Sequence, residues 1–296
     1  MNEDKLLEIN ELCVSYGDVR VLDAVSFDMR QGEIAAIVGE SGSGKTTLLR
    51  SIMSLLDSDG KITGGTVQFL GRDMTSLPKK ECIKTAGKDI SMIFQNSEMS
   101  MDPVKTVGSQ ITECITVHQK IDKKTAAKQG KALLSEFHFD DVSRVWNSYP
   151  FELSGGMCQR AATAMAIANA PRLLLADEPT SALDVTVQAQ AVKNLVSLRD
   201  RTNMSVLLVT HDIGVVAKMA DFVGVLYRGR LVEWGKKDEV LYAPVHSYTR
   251  FLLSFVKKVE NSKSEQNSHI LKIAAKRAED KKKYYSEIHW ALEEEE

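Results

Sequence analysis

The sequence predicts an α/β protein built on a parallel sheet, with an all-helical subdomain inserted between two of its strands. Three observations carry this reading. A short buried-type run, Glu33–Val38, leads through a glycine-rich turn, Gly39–Gly44, into a segment with helical spacing, Lys45–Leu56. Strand signals return at Leu173–Ala176, Val206–Thr210 and Val223–Tyr227, with a helical stretch over Gln188–Asp200, and strands alternating with helices indicate a parallel sheet. Between Asn96 and Ala170 strand signals vanish, and helix-prone segments such as Lys123–Phe137 and Gln159–Asn169 replace them.

The elements follow in order. Leu6–Ile9, Glu11–Ser15 and Val25–Met29 partly alternate, as half-buried strands do. In Lys45–Leu56 the residues Leu48, Leu49, Ile52, Met53 and Leu56 share one side of a helix. Gly64–Leu70 reads as another strand and Asp89–Gln95 as a further one. Beyond Val256 the composition shifts: Lys257–Ser268 is polar, His269–Trp290 could form a charged helix, and the chain ends in four Glu residues. We therefore expect one domain over 1–255, with its helical subdomain at about 96–170, and a charged extension over 256–296.

Composition narrows the function classes. With 38 Lys and Arg against 40 Asp and Glu, the chain is close to neutral, which argues against a protein whose main partner is nucleic acid. Cys13, Cys82, Cys114 and Cys158 are far apart and form no C-x-x-C pair, a usage typical of reducing compartments rather than of a disulfide frame or zinc site. The start, Met1-Asn2-Glu3-Asp4-Lys5, is unlike a signal peptide. No apolar run approaches the roughly 20 residues that cross a bilayer, so any membrane role is expected to come through a partner.

Gly39-Glu40-Ser41-Gly42-Ser43-Gly44-Lys45-Thr46 fits G-x-x-x-x-G-K-[ST]. The order of residue types has a physical reason. Glycines let the backbone curl until successive N–H groups point at phosphate oxygens, and the following helix adds its positive N-terminal end. Lys45 brings a charge to the β- and γ-phosphates of a nucleotide, and Thr46 offers a hydroxyl to Mg²⁺. A glycine-rich turn can arise without function, but this one lies between a buried strand and a helix, as the chemistry requires.

Leu173-Leu174-Leu175-Ala176-Asp177-Glu178 is an apolar strand ending in two carboxylates. In a parallel sheet both emerge at the C-terminal edge, where ligands bind. Alone, the pair reads as a solvated strand end before a Pro179 turn. Beside a phosphate loop, Asp177 is expected to hold Mg²⁺, directly or through water, and Glu178 to take a proton from an attacking water.

Between the two motifs stands Leu153-Ser154-Gly155-Gly156-Met157, just ahead of a helix. Here the sequence resembles the ATP-binding-cassette (ABC) family, whose signature is L-S-G-G shortly before the acidic strand. The resemblance spans roughly residues 5 to 255. It implies a P-loop NTPase fold: a RecA-like core sheet, an antiparallel β subdomain and an inserted helical subdomain. It implies ATP as ligand with Mg²⁺, bound by Gly39, Ser41, Gly42, Ser43, Gly44, Lys45, Thr46 and Thr47. Tyr16, 23 residues before Gly39, matches the aromatic that stacks on adenine. Gln95 matches the loop glutamine that senses Mg²⁺ and the γ-phosphate, and His211 the switch histidine. Ser154, Gly155 and Gly156 match groups that reach the γ-phosphate held by an opposite subunit. Ser181-Ala182-Leu183-Asp184 matches the loop that crosses that dimer interface.

Within the family the likeness is to ATPases of oligopeptide, dipeptide and nickel importers. Tyr149-Pro150-Phe151-Glu152, Leu183–Gln190, His246-Ser247-Tyr248-Thr249-Arg250 and Asp102-Pro103-Val104 carry it. This implies a peripheral protein at the cytoplasmic face of the membrane. Its partners would be transmembrane permease subunits, a second cassette (identical or homologous) and an extracellular substrate-binding protein. Cys158 departs from the pattern, standing where arginine is common, and is expected to alter helix surface contacts. An ABC exporter ATPase, or a soluble ABC ATPase of DNA repair or translation, stays open as an alternative. The latter usually carries a long coiled-coil insertion or two cassettes, and this sequence shows neither. A P-loop kinase would need neither Leu153–Gly156 nor His211.

Overall fold

The computed structural model describes residues 5–97, 100–180 and 185–254. Two sheets organise the chain. The larger has six strands in the order β10-β9-β3-β8-β7-β6. In it β3 (Ile34–Val38), β6 (Ile90–Ile93), β7 (Leu173–Asp177), β8 (Ser205–Thr210) and β9 (Phe222–Tyr227) run parallel, and β10 (Arg230–Lys236) is antiparallel to β9. The smaller sheet is antiparallel, in the order β2-β1-β4-β5, from β1 (Lys5–Tyr16), β2 (Val19–Arg30), β4 (Gly60–Phe69) and β5 (Arg72–Asp73).

The central strands read as unbroken apolar runs because both faces are covered. Ile34, Ala36 and Val38 of β3 face one core with Leu174, Ala176, Val206 and Leu208. Ala35 and Ile37 face the other, with Leu173, Leu175, Leu207 and Val209. The second core is closed by the antiparallel sheet and by α1 (Lys45–Ile52), through Leu48, Leu49 and Ile52. The first is closed by helices, among them α7 (Val185–Thr202) and α8 (Ile213–Met219). A short α2 (Lys79–Thr85) precedes β6.

Between β6 and β7 the chain forms α3 (Val107–His118), α4 (Lys123–Ser135), α5 (Val142–Asn147), a 3₁₀ turn over Pro150–Glu152, and α6 (Gly155–Ala166), with no strand among the described residues. Trp146 of α5 binds these helices together. It lies so close to Gly108 of α3 and Gly130 of α4 that an added Cβ would stand 2.3 Å and 2.7 Å from its neighbours there, Trp146 and Ile111 respectively. Asn169 ties the group to the sheet side, its Nδ2 donating to Gly87 O and Cys114 O, both at 3.0 Å. Cys158 is 1% exposed. Its departure from arginine therefore bears on core packing, and the expected change in surface contacts is corrected.

Past β10 the chain adds α9 (Lys237–Tyr242) and α10 (Ser247–Ser254). The buried carboxylate of Glu233 fixes the entry to α10, accepting from Val245 N at 2.9 Å and His246 N at 3.1 Å. The expected extension over 256–296 lies outside the described residues.

Candidate functional site

Four adjacent parallel strands, β3, β8, β7 and β6, end at one edge. Each passes directly into a segment singled out in the sequence: Gly39–Thr46, His211, Asp177-Glu178 and Gln95. This is the edge at which a parallel α/β sheet binds ligands.

The loop after β3 curls back on itself, with Ser43 N donating to Glu40 O at 3.2 Å. Gly39 must be glycine, since a Cβ there would stand 2.2 Å from Leu226 O and 2.9 Å from Ser43 Oγ. Gly44 has φ 105°, a conformation side chains avoid. α1 starts at Lys45 with no side-chain cap on its free N–H groups, and the buried Ser43 hydroxyl has no hydrogen-bond partner. Uncapped donors and an orphaned hydroxyl in one concave loop suit an anion such as a nucleotide phosphate. Lys45 is 7% exposed. Its ammonium donates to Gly39 O at 2.9 Å and Glu40 O at 2.7 Å. Burial lowers its pKa, against the charges of Glu178, Asp177 and Glu40.

Asp177 is 4% exposed. Burial raises its pKa, the Thr46 hydroxyl bound to it pulls the other way, and the charge of Glu178 raises it further. Gln95 Nε2 donates to Glu178 Oε2 at 3.5 Å, and His211 Nδ1 lies 3.1 Å from the same oxygen. The three expected catalytic side chains therefore meet on one carboxylate oxygen. The Glu178 side chain is 14% exposed and that of His211 62%, so the cluster opens to solvent on the histidine side. Glu178 has φ 45°, unusual for a non-glycine residue and more so before proline, at a cost on the order of 1 kcal/mol.

Ser154 caps α6, its hydroxyl accepting from Met157 N at 3.4 Å. Ser154 and Gly155 are exposed, Gly156 half-buried, and a Cβ on Gly155 would meet nothing within 4 Å. Among the described residues no hydrogen bond joins this turn to the chain's own phosphate loop. Tyr16 ends β1, its ring against Gly60. Asp184 lies outside the described residues. Thr47 is half-buried in the first turn of α1, its carbonyl accepting from Ser51 Oγ at 2.7 Å.

Two glutamines that sequence reasoning passed over also reach this edge. Gln188 of α7 donates to Asp212 Oδ2 at 2.6 Å and to Thr180 Oγ1 at 3.4 Å. Gln159 of α6 donates to Pro179 O at 2.8 Å. The sole sequence signal for Gln159 is an amide on the inward face of a helix that is otherwise mostly Ala and Met.

Comparison with known proteins fits this geometry. The family model described as ABC transporter matches residues 22–181. The chain belongs to the ABC transporter family. The cassette is 43% identical over 267 residues to the oligopeptide transport ATP-binding protein OppD of Bacillus subtilis, covering 88% of this chain and 75% of that one. It is 42% identical over 252 residues to the dipeptide transport ATP-binding protein DppD of Escherichia coli, covering 84% and 77%. Among solved structures it resembles the ATP-binding cassette MJ0796 in a dimeric post-hydrolysis state bound to ADP and Pi, with a TM-score of 0.71 and 27% identity over 78% of this chain and 98% of that one. The α/β fold expected from the sequence is that of an ABC ATPase, and ATP is the nucleotide of the family.

Proposed function

We propose that this ABC cassette is an ATP-hydrolysing subunit of an importer for oligopeptides or dipeptides. The observation that carries the reading is its 43% identity, over 88% of the chain, to an oligopeptide transport ATP-binding protein. Nothing observed favours nickel over peptides.

In this reading the loop Gly39–Thr47 wraps the phosphates, and Tyr16 lies under the adenine. Lys45 exchanges its two carbonyl partners for β- and γ-phosphate oxygens. Thr46 and Asp177 fit a divalent cation: a hydroxyl hydrogen-bonded to a buried carboxylate, beside a second carboxylate whose charge opposes ionisation. They would hold Mg²⁺ with Gln95. Bound there, Mg²⁺ would neutralise phosphate charge and polarise the group transferred. Glu178 takes the proton from the attacking water, and His211 orients its carboxylate.

Ser154 and Gly155 of the signature turn are exposed, and among the described residues the turn makes no hydrogen bond to the chain's own phosphate loop. It fits the opposite role, closing over ATP held by a second cassette. ATP then joins two cassettes, and its hydrolysis separates them, a shift between two states of different affinity. A cavity of about 480 Å³ lined by Phe94, Asp102, Lys105, Glu113, Val117 and others lies beside the Gln95 loop, with Phe94 40% and Val117 69% exposed. It supports docking of permease subunits there. No helix among the described residues is long and apolar enough to cross a membrane. In this reading the cassette sits peripherally, at the cytoplasmic face, bound to its permease subunits, with an extracellular binding protein selecting cargo.

The test is reconstitution of the chain with its membrane subunits and binding protein in liposomes. ATP-dependent uptake of short peptides is the expected result; nickel uptake without peptide uptake would overturn the cargo assignment.

A further inference from the structure

Gln159 is an amide in a helix face otherwise turned into the core. It is 5% exposed, and both ends of its side chain are engaged. Nε2 donates to Pro179 O at 2.8 Å, and Oε1 accepts from Ser97 Oγ. The three segments thus joined are those that must cooperate at the site. Ser97 lies in the loop that leaves β6 through Gln95, Pro179 directly follows Glu178, and α6 opens at Ser154 of the signature turn.

The main chain is anchored on both sides of Glu178. Glu178 N donates to Val209 O at 2.9 Å, which holds the near side. On the far side Pro179 has no N–H, and its carbonyl is held by Gln159. Between the two anchors Glu178 keeps φ 45°. A non-glycine residue stays in that region where its surroundings over-determine it.

We propose that Gln159 is a positioning residue for hydrolysis: from helix α6 it clamps the Pro179 carbonyl and the Ser97 hydroxyl, and so fixes the left-handed Glu178 with its carboxylate facing Gln95 and His211. The inference rests on Glu178 being the general base. It also makes a specific division. Lys45 and the phosphate loop hang from β3 and α1, and Gln159 makes no hydrogen bond to either among the described residues. Loss of the clamp should therefore slow the chemical step and leave nucleotide binding alone.

The decisive variant is Gln159→Glu, nearly the same size. It keeps an acceptor for Ser97 and replaces the donor to Pro179 O with a charge. In the full chain assembled with its partner subunits, kcat should fall by about 10–100-fold, the usual effect of misplacing a catalytic group, with KM for ATP and nucleotide affinity unchanged. Gln159→Leu, which buries no charge, should show the same split and serves if the Glu variant does not fold. In a Glu178→Gln background, Gln159→Glu should lower the residual turnover no further, because residues acting as a unit are not additive. Wild-type kcat in Gln159→Glu beside an inactive Glu178→Gln would overturn the inference alone. An equal further loss in the double variant, or a loss confined to nucleotide affinity, would also overturn it. Wild-type turnover of Glu178→Gln would remove the base assignment and the inference together.

Discussion

Asp177 is a carboxylate whose surroundings oppose its own charge. Burial is the largest cause, the nearby Glu178 adds to it, and the Thr46 hydroxyl with the charges of Arg50 and Lys45 compensates in part, leaving the pKa above the usual 3.8. The sign follows. The nucleotide-free fold is penalised where Asp177 is ionised, above its raised pKa, and is relieved as pH falls through that pKa towards the unfolded value. Asp177→Asn should therefore raise the melting temperature of the nucleotide-free chain near neutral pH. The gain should shrink as the pH is lowered towards the carboxylate range, and Mg²⁺-dependent turnover should fall. Thermal unfolding across pH checks this; a melting temperature lowered at neutral pH would contradict it. The gathering of Lys45, Asp177 and Glu178 at one sheet edge is legible in the sequence because each stands at or just beyond the end of a buried run that forms a parallel strand. The left-handed backbone of Glu178 and the reach of Gln159 to Pro179 and Ser97 are not. They join residues 20 and 62 positions apart, which only the folded sheet edge brings together.

At the scale of elements, alternation served well where a strand has one partner face and poorly where it bends. Leu6–Ile9 and Glu11–Ser15 form a single strand, β1, in which Glu11 has φ 47° and the register shifts between Asn10 and Cys13. That bulge breaks the period of two and splits the pattern in the sequence. The helix expected to reach Leu56 ends at Ile52, and Ser54 then turns the chain with φ 55°. Gln95 lies two residues beyond the end of β6 at Ile93, on a loop rather than on the strand. Helix α3 is not legible in the sequence because its buried face mixes Gly108 and Gln110 with Val107, Ile111 and Ile115. The same glycine gives a test of how these helices cohere. Gly108→Ala would press a methyl into the Trp146 ring and should destabilise the chain by about 1–3 kcal/mol, the usual cost of overpacking. Denaturant unfolding measures this, and an unchanged midpoint would show that Trp146 can move aside at no cost.

For the molecule as a whole, the exposed Ser154-Gly155 turn and the chain's own phosphate loop form two halves that one cassette does not bring together. In the proposed arrangement, two cassettes with ATP between them complete both. Ser154→Arg should leave ATP affinity of this chain intact while abolishing turnover at the site on the facing subunit. Light scattering with Mg·ATP should show reduced association of that variant with its partner, and undiminished association and turnover would contradict the trans arrangement. Whether Glu178 is the general base is read from ATP turnover of Glu178→Gln alongside nucleotide affinity, with Lys45→Ala as the contrasting variant. Glu178→Gln should bind ATP as the wild type does but turn over about 10²–10⁴-fold more slowly, while Lys45→Ala loses affinity; wild-type turnover by Glu178→Gln would take the base role away from Glu178.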